Sequence, residues 1–148
     1  MSTYTQILYQ IVFSTQNREK VLTKENRENL YRYIWGILKS KKCHLYQINA
    51  VDDHIHIATH IHPTVALSEV IKDIKIASSK WIKEEKIFPD FQSWQKGYGA
   101  FTYTNREKSV LINYIKNQEE HHRTISFKNE YIKLLNEFDI DFDEKYLL

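Results

Sequence analysis

Residues 54–62 read His-Ile-His-Ile-Ala-Thr-His-Ile-His, and this alternation decides how the segment folds. Side chains on a strand point to opposite faces in turn, so His54, His56, Ala58, His60 and His62 share one face. Ile55, Ile57, Thr59 and Ile61 share the other. Three isoleucines mark a buried side and leave the histidines opposite. Period two predicts a strand over 54–62, stopped by Pro63.

Working outward, Cys43–Val51 predicts a strand that reaches residue 54 through the short Asp52-Asp53 turn. Upstream, Thr3–Thr15 carries the β-prone Tyr4, Ile7, Tyr9, Ile11 and Phe13. Between them, Lys24 to about Lys41 changes to helical spacing, with Leu30, Ile34, Ile37 and Leu38 on one stripe and Thr23 as N-cap. Downstream, Thr64 is placed to cap a helix over about 65–85 carrying Leu67, Ile71, Ile74, Ser78 and Trp81. An aromatic loop (Phe88, Phe91, Trp94, Tyr98) leads to a short strand over Ala100–Thr104. Thr104 and Glu107 form a capping box that opens a helix to about His122. One more helix, with Tyr131, Leu134 and Leu135, precedes a loose acidic end.

The order β-α-β-β-α-β-α predicts an α+β fold, ferredoxin-like or RRM-like, with an antiparallel sheet and helices packed on one face. The 148 residues contain only 3 Gly and 2 Pro, so no Gly/Pro-rich linker divides them. The expectation is one domain over 1–148, its core over about 3–123 and a C-terminal helix and acidic tail over 124–148.

Hydrophobic residues make up 42% and charged residues 27%, with a formal net charge of +2. That balance neither demands nor excludes a polyanionic partner. Cys43 is the lone cysteine and cannot form an internal disulfide. Met1–Gln10 does not read as a signal peptide, and no apolar run is long enough to span a bilayer. A cytoplasmic protein without a membrane partner is expected. No glycine-rich phosphate loop and no Ser/His/Asp arrangement occurs, which argues against a nucleotide cofactor and against triad hydrolysis.

Two constellations carry chemistry. On the 54–62 strand, neighbouring histidines have Cα atoms about 6.6 Å apart, so His54 and His56 can converge on one cation. A single strand histidine is ordinarily just solvated surface; four on one face of nine residues favour a site. All four cannot ligate one ion, because an extended strand spreads them too far to close a tetrahedron. On the helix after the last strand, Val110, Leu111 and Ile115 define the inward face, and Tyr114 and Gln118 fall within it, four residues apart. A tyrosine there is unremarkable core. A buried amide must find partners or costs a few kcal/mol, and a metal is one such partner. A tyrosine hydroxyl can attack phosphorus and hold a covalent phosphodiester for later rejoining. A metal stabilises the charge that develops on the phosphate oxygens.

With these residues in place, the chain resembles the HUH single-tyrosine transposases, which include insertion-sequence single-strand transposases and repeat-associated tyrosine transposases. The resemblance rests on His54-Ile55-His56 after Asp53, on Tyr114-Ile115-Lys116-Asn117-Gln118 downstream, and on the element order. It covers at least Tyr4 to His122, including Ile11-Val12-Phe13-Ser14-Thr15 and Trp94-Gln95-Lys96-Gly97-Tyr98-Gly99. It implies that His54, His56 and Gln118 bind Mg²⁺ or Mn²⁺ and that Tyr114 forms a 5′-phosphotyrosine link and releases a 3′-hydroxyl. It also implies hairpin-bearing single-stranded DNA as substrate and a homodimer, in which one subunit's tyrosine helix often completes the other's histidine site. Arg18, Lys20 and the stripe Lys72, Lys75 and Lys83 are then candidates for holding phosphates, although a solvated helix flank looks the same. His60 and His62 lie outside the signature. Two other readings compete: a domesticated binder of hairpin DNA or RNA that no longer transposes, and an unrelated metal-binding protein of ferredoxin-like fold.

Overall fold

The computed structural model describes residues 2–147; Met1 and Leu148, the ends of the expected 1–148 unit, lie outside the described residues. The strands are β1 (Leu8–Ser14), β2 (Leu45–Ala50), β3 (His54–His60) and β4 (Gly99–Tyr103). They form one antiparallel sheet in the order β2-β3-β1-β4. The helices are α1 (Arg27–Ser40), α2 (Leu67–Glu85), α3 (Lys108–Lys116), α4 (Gln118–His121) and α5 (Phe127–Glu137). The fold is α+β, with the expected order of elements up to β4.

One face of the sheet presents Ile11 and Phe13 of β1, Ile48 and Ala50 of β2, and Ile55 and Ile57 of β3. The two crossover helices cover it. Leu30, Ile34 and Leu38 of α1 recur every four residues, and Val70, Ile71, Ile74 and Ile82 of α2 keep a similar stripe, so each helix buries one apolar side. Each such aliphatic side chain contributes roughly 1.5–3 kcal/mol when withdrawn from water. The helix ends differ from expectation. Lys24–Asn26 is a separate 3₁₀ turn and Thr23 makes no side-chain cap. Thr64 does not cap α2 either; its hydroxyl lies 2.7 Å from His62 Nδ1 and the helix begins at Leu67.

The opposite face is covered as well, by the helices that follow β4. Leu111 and Ile115 of α3 pack on Leu8 and Ala58, while Phe127, Tyr131, Leu134 and Leu135 of α5 pack on Val12 and Phe101. The one-face layering therefore holds for the crossover helices alone. The even-numbered residues of β1 need a second cover, since Leu8, Gln10 and Val12 are buried along with Ile11 and Phe13. β3 is in consequence buried on both sides, His54 and His56 included. Close packing here requires Gly99: a Cβ at that position would stand 2.6 Å from Cε1 of the Tyr131 ring.

The expected single helix from 108 to 122 is interrupted at Asn117, which ends α3. Asn49 of β2 donates from Nδ2 to the carbonyl oxygens of Ile115 (2.9 Å) and Lys116 (3.2 Å), satisfying groups that the last helical turn leaves open.

Candidate active site

The strand register lays out the histidine face row by row. His54 pairs with Ser14, His56 with Val12, and Ala58 with Gln10, with Gly99 and Phe101 completing the inner rows on β4. Asn49 flanks His56 on β2. His54 and His56 are thus fixed side by side by backbone ladders on both sides, with ring centroids 5.1 Å apart. Neither has measurable exposure.

Each imidazole is oriented by its outer nitrogen. His54 Nδ1 lies 2.6 Å from Asp53 Oδ1, and His56 Nδ1 lies 2.7 Å from Gln10 Oε1. A third ring joins them: His122, just beyond α4, has Nδ1 2.7 Å from the carbonyl oxygen of Ile125 and stands edge-on to His54 at 4.4 Å. All three outer partners are acceptors, so each Nδ1 carries the hydrogen and each Nε2 presents its lone pair inward when the ring is neutral.

What the Nε2 atoms meet is Glu130 of α5. Its Oε1 lies 2.9 Å from His122 Nε2, 3.1 Å from His56 Nε2 and 3.3 Å from His54 Nε2. Its Oε2 accepts from the Tyr114 hydroxyl and from Gln118 Nε2 at 3.0 Å, with His121 Nε2 at 3.4 Å. Gln118 Oε1 lies 3.4 Å from His54 Nε2. Glu130 is 1% exposed, and such a carboxylate is costly to bury unless positive charge or donors surround it.

Ionisation follows from this crowding. Burial would raise the Glu130 carboxyl, but hydrogen bonds from His122, His54 and His56 outweigh it and hold the group well below the usual carboxylate range. Burial pushes His56 down to about 4, against the pull of Glu130. Burial also disfavours protonated His54, yet Asp53 and Glu130 together raise it above its ordinary value. Tyr114 is pushed above the normal phenol range, first by burial and then by the Glu130 charge.

Of the expected site residues, Tyr114, His54, His56 and Gln118 come together within one chain. The ring of Tyr114 is 5.8 Å from that of His56. Val110, expected inward, is 71% exposed; it lines a cavity of about 260 Å³ with Tyr103, Leu111, Tyr114, Glu130 and Leu134. α3 is turned so that Leu111 and Ile115 take the core. His60 and His62 play local parts, near the Ile7 backbone and on Thr64 respectively.

The basic residues lie elsewhere. Lys72 and Lys83 are exposed on α2, across the sheet from the histidines. Lys75 Nζ is engaged, donating to the carbonyl oxygens of Gln95 (2.9 Å) and Gly97 and lying 5.1 Å from the centre of the Phe13 ring. Burial lowers it to about 8. Lys75 and Lys83 line an open cavity of about 440 Å³ with Ser79, Lys80 and Trp94. Arg18 is half-buried in a turn beyond Ser14, the end of β1 that pairs with His54, and Lys20 is exposed.

Glu130 and His122 are the site residues that sequence spacing missed. One signal was available: Phe127, Glu130, Tyr131, Leu134 and Leu135 form the buried stripe of α5, and a carboxylate within such a stripe requires partners.

The donors suit a divalent cation. His54, His56, His122 and Glu130 each offer a ligand atom, all within 4.8 Å of one another. Bonds of about 2.1 Å set tetrahedral ligand atoms roughly 3.4 Å apart, and the imidazole nitrogens stand 2.9–3.3 Å from Glu130 Oε1. Neutral rings would aim three lone pairs at an anionic oxygen, an arrangement that protons or a metal ion among them would relieve.

Residues 3–118 match the family described as IS200-like transposases. Solved structures share the fold, two transposases among them. The crystal structure of a transposase candidate from Deinococcus radiodurans R1 is 20% identical with a TM-score of 0.62, the match covering 80% of this chain and 95% of that one. A REP-associated tyrosine transposase bound to a REP hairpin is 15% identical with a TM-score of 0.58, covering 84% of this chain and 76% of that one. No curated protein matches this chain.

Proposed function

Because the chain belongs to the IS200-like transposase family, we propose that it cuts and rejoins single-stranded DNA with Tyr114 as the nucleophile. The observation that carries this reading is the meeting of a phenol, paired imidazoles and an amide around one buried carboxylate, with Tyr114 and Glu130 lining a cavity beside them. Tyr114 Oη attacks the scissile phosphorus, the bond from phosphorus to the 3′-oxygen breaks, and that oxygen leaves as a 3′-hydroxyl. The 5′-phosphate stays on the tyrosine, so the bond energy is kept for rejoining. His54, His56 and Gln118 would hold Mg²⁺ or Mn²⁺, which when bound would withdraw charge from the phosphate oxygens. Asp53 and Gln10 fix the tautomers that aim His54 and His56 inward.

The substrate class is single-stranded DNA bearing hairpins, supported by the family and by the hairpin in the REP-associated relative of the same fold. Arg18, Lys20, Lys72, Lys75 and Lys83 are the phosphate contacts of this reading; Lys72, Lys75 and Lys83 would hold DNA on the face away from the nucleophile. A homodimer is part of the proposal, each subunit using its own tyrosine, since Tyr114 stands beside His56 of the same chain. Among the described residues no helix is long and apolar enough to cross a membrane.

Incubation with hairpin-bearing single-stranded DNA and Mn²⁺ or Mg²⁺, followed by a denaturing gel, tests the reading. The wild type forms a covalent adduct and Tyr114→Phe does not. An adduct that survives Tyr114→Phe, or hairpin binding by the wild type without any adduct, overturns it.

A further inference from the structure

We infer that His122 and Glu130 are metal ligands alongside His54 and His56, and that this nitrogen-rich set selects a transition-metal ion over Mg²⁺. The inference rests on the proposed metal-dependent reading and adds the ligands and the class of ion. Three observations carry it. The Nε2 atoms of His54, His56 and His122 converge on one oxygen, Glu130 Oε1, at 3.3, 3.1 and 2.9 Å. Each of the three rings has its Nδ1 committed to an outer acceptor: Asp53, Gln10 and the Ile125 carbonyl. It is therefore the Nε2 atom that faces inward on all three rings, His122 being oriented in the same way as the signature histidines. Finally, Glu130 is 1% exposed and reaches the site from a helix whose other inward residues are apolar.

The donor chemistry decides the ion. Mg²⁺ takes oxygen ligands in a near-ideal octahedron and gives up water reluctantly, so three imidazoles are a poor match. Imidazole suits the later divalent ions, whose affinity rises from Mn²⁺ to a maximum at Cu²⁺, with Zn²⁺ still above Mn²⁺. The remaining carboxylate oxygen, Oε2, stays with Tyr114 and Gln118, so Glu130 joins the ion to the nucleophile. α5 thereby becomes part of the metal centre, and metal binding stabilises its docking on the sheet.

Calorimetric titration of the full chain with Zn²⁺, Mn²⁺ and Mg²⁺ tests this without reference to activity. One ion binds per chain in the order Zn²⁺, Mn²⁺, Mg²⁺, each step weaker by at least about tenfold. His122→Ala and Glu130→Gln each weaken Mn²⁺ binding by at least about tenfold. Because either variant can misfold, the wild type supplies a second readout. On adding Zn²⁺, the ¹⁵N resonance of His122 Nε2 shifts, together with those of His54 and His56. Unchanged Mn²⁺ affinity in both folded variants, an unmoved His122 resonance, or Mg²⁺ binding as tight as Mn²⁺ overturns the inference and leaves the transposase reading standing. Failure of the wild type to bind any of the three ions also overturns it, and the adduct assay on the same preparation then decides the transposase reading separately.

Discussion

The hydroxyl of Tyr114 donates a hydrogen bond to Oε2 of Glu130, 16 residues further along the chain and on a different helix. The same carboxylate faces three imidazoles through its other oxygen, so nucleophile and histidines are joined by one side chain. Removing the phenol oxygen leaves Glu130 with Gln118 and the histidines. Tyr114→Phe is expected to lose about 1.5–3 kcal/mol of unfolding free energy, as for one hydrogen bond to a charged acceptor. Urea unfolding checks it. A loss well beyond that range would show that the tyrosine serves the fold more than the site.

Gln10 acts on the site from one row away. Its Oε1 holds His56 Nδ1 at 2.7 Å and its Nε2 donates to the Tyr103 hydroxyl at 2.7 Å. Gln10→Leu frees the His56 ring to change tautomer and orientation. Mn²⁺ affinity should fall by about 10–100-fold, the usual cost of losing an orienting partner behind a ligand. Titration of the folded variant with an unchanged dissociation constant would refute the orienting role.

Gly99 sets how closely α5 approaches the sheet. Gly99→Ala drives a methyl group into the Tyr131 ring, which must move because the gap is 2.6 Å. A destabilisation of about 1–3 kcal/mol is expected, as for other overpacked sites. Weaker Mn²⁺ binding should accompany it, since Glu130 precedes Tyr131 directly. An unaltered denaturation midpoint would mean that the ring yields freely.

Lysines on α2 divide into two kinds. Lys72 and Lys83 are exposed, whereas Lys75 ties the 95–97 loop to the helix. Charge reversal at Lys72 or Lys83 should weaken hairpin binding about equally across sequences and reduce the slope of log affinity against log salt by about 1 each. Neither should shift the unfolding midpoint. Lys75→Met should lower that midpoint. DNA titrations at several salt concentrations that show no change in slope would remove this face from the interface.

Much of this arrangement was legible because its cues are local. The alternation of His54 to Ile61 set a strand and its faces, and the four-residue spacing of Tyr114 and Gln118 put both toward the interior. Two features escaped because they depend on distant packing. The second cover of the sheet is signalled only weakly, by Leu8 and Val12 standing where a one-sided strand would carry polar residues. Glu130 and His122 come from segments remote from the signature, and no spacing rule links them to residues 54–56. The interruption at Asn117 is also a tertiary effect, with the freed carbonyls supported by Asn49 from β2. Val110 faces outward for a related reason: helical periodicity defines an apolar stripe, while tertiary packing decides which part of it meets the sheet, here Leu111 and Ile115.

The family-matched segment closes at residue 118, yet the carboxylate at the centre of the histidine cluster is twelve positions beyond it. Anyone designing an expression clone to that boundary would discard Phe127, Tyr131, Leu134 and Leu135 and bare Val12 and Phe101 to solvent. Such a fragment would be sticky as well as incomplete, and its failure to process DNA would say nothing about the intact polypeptide.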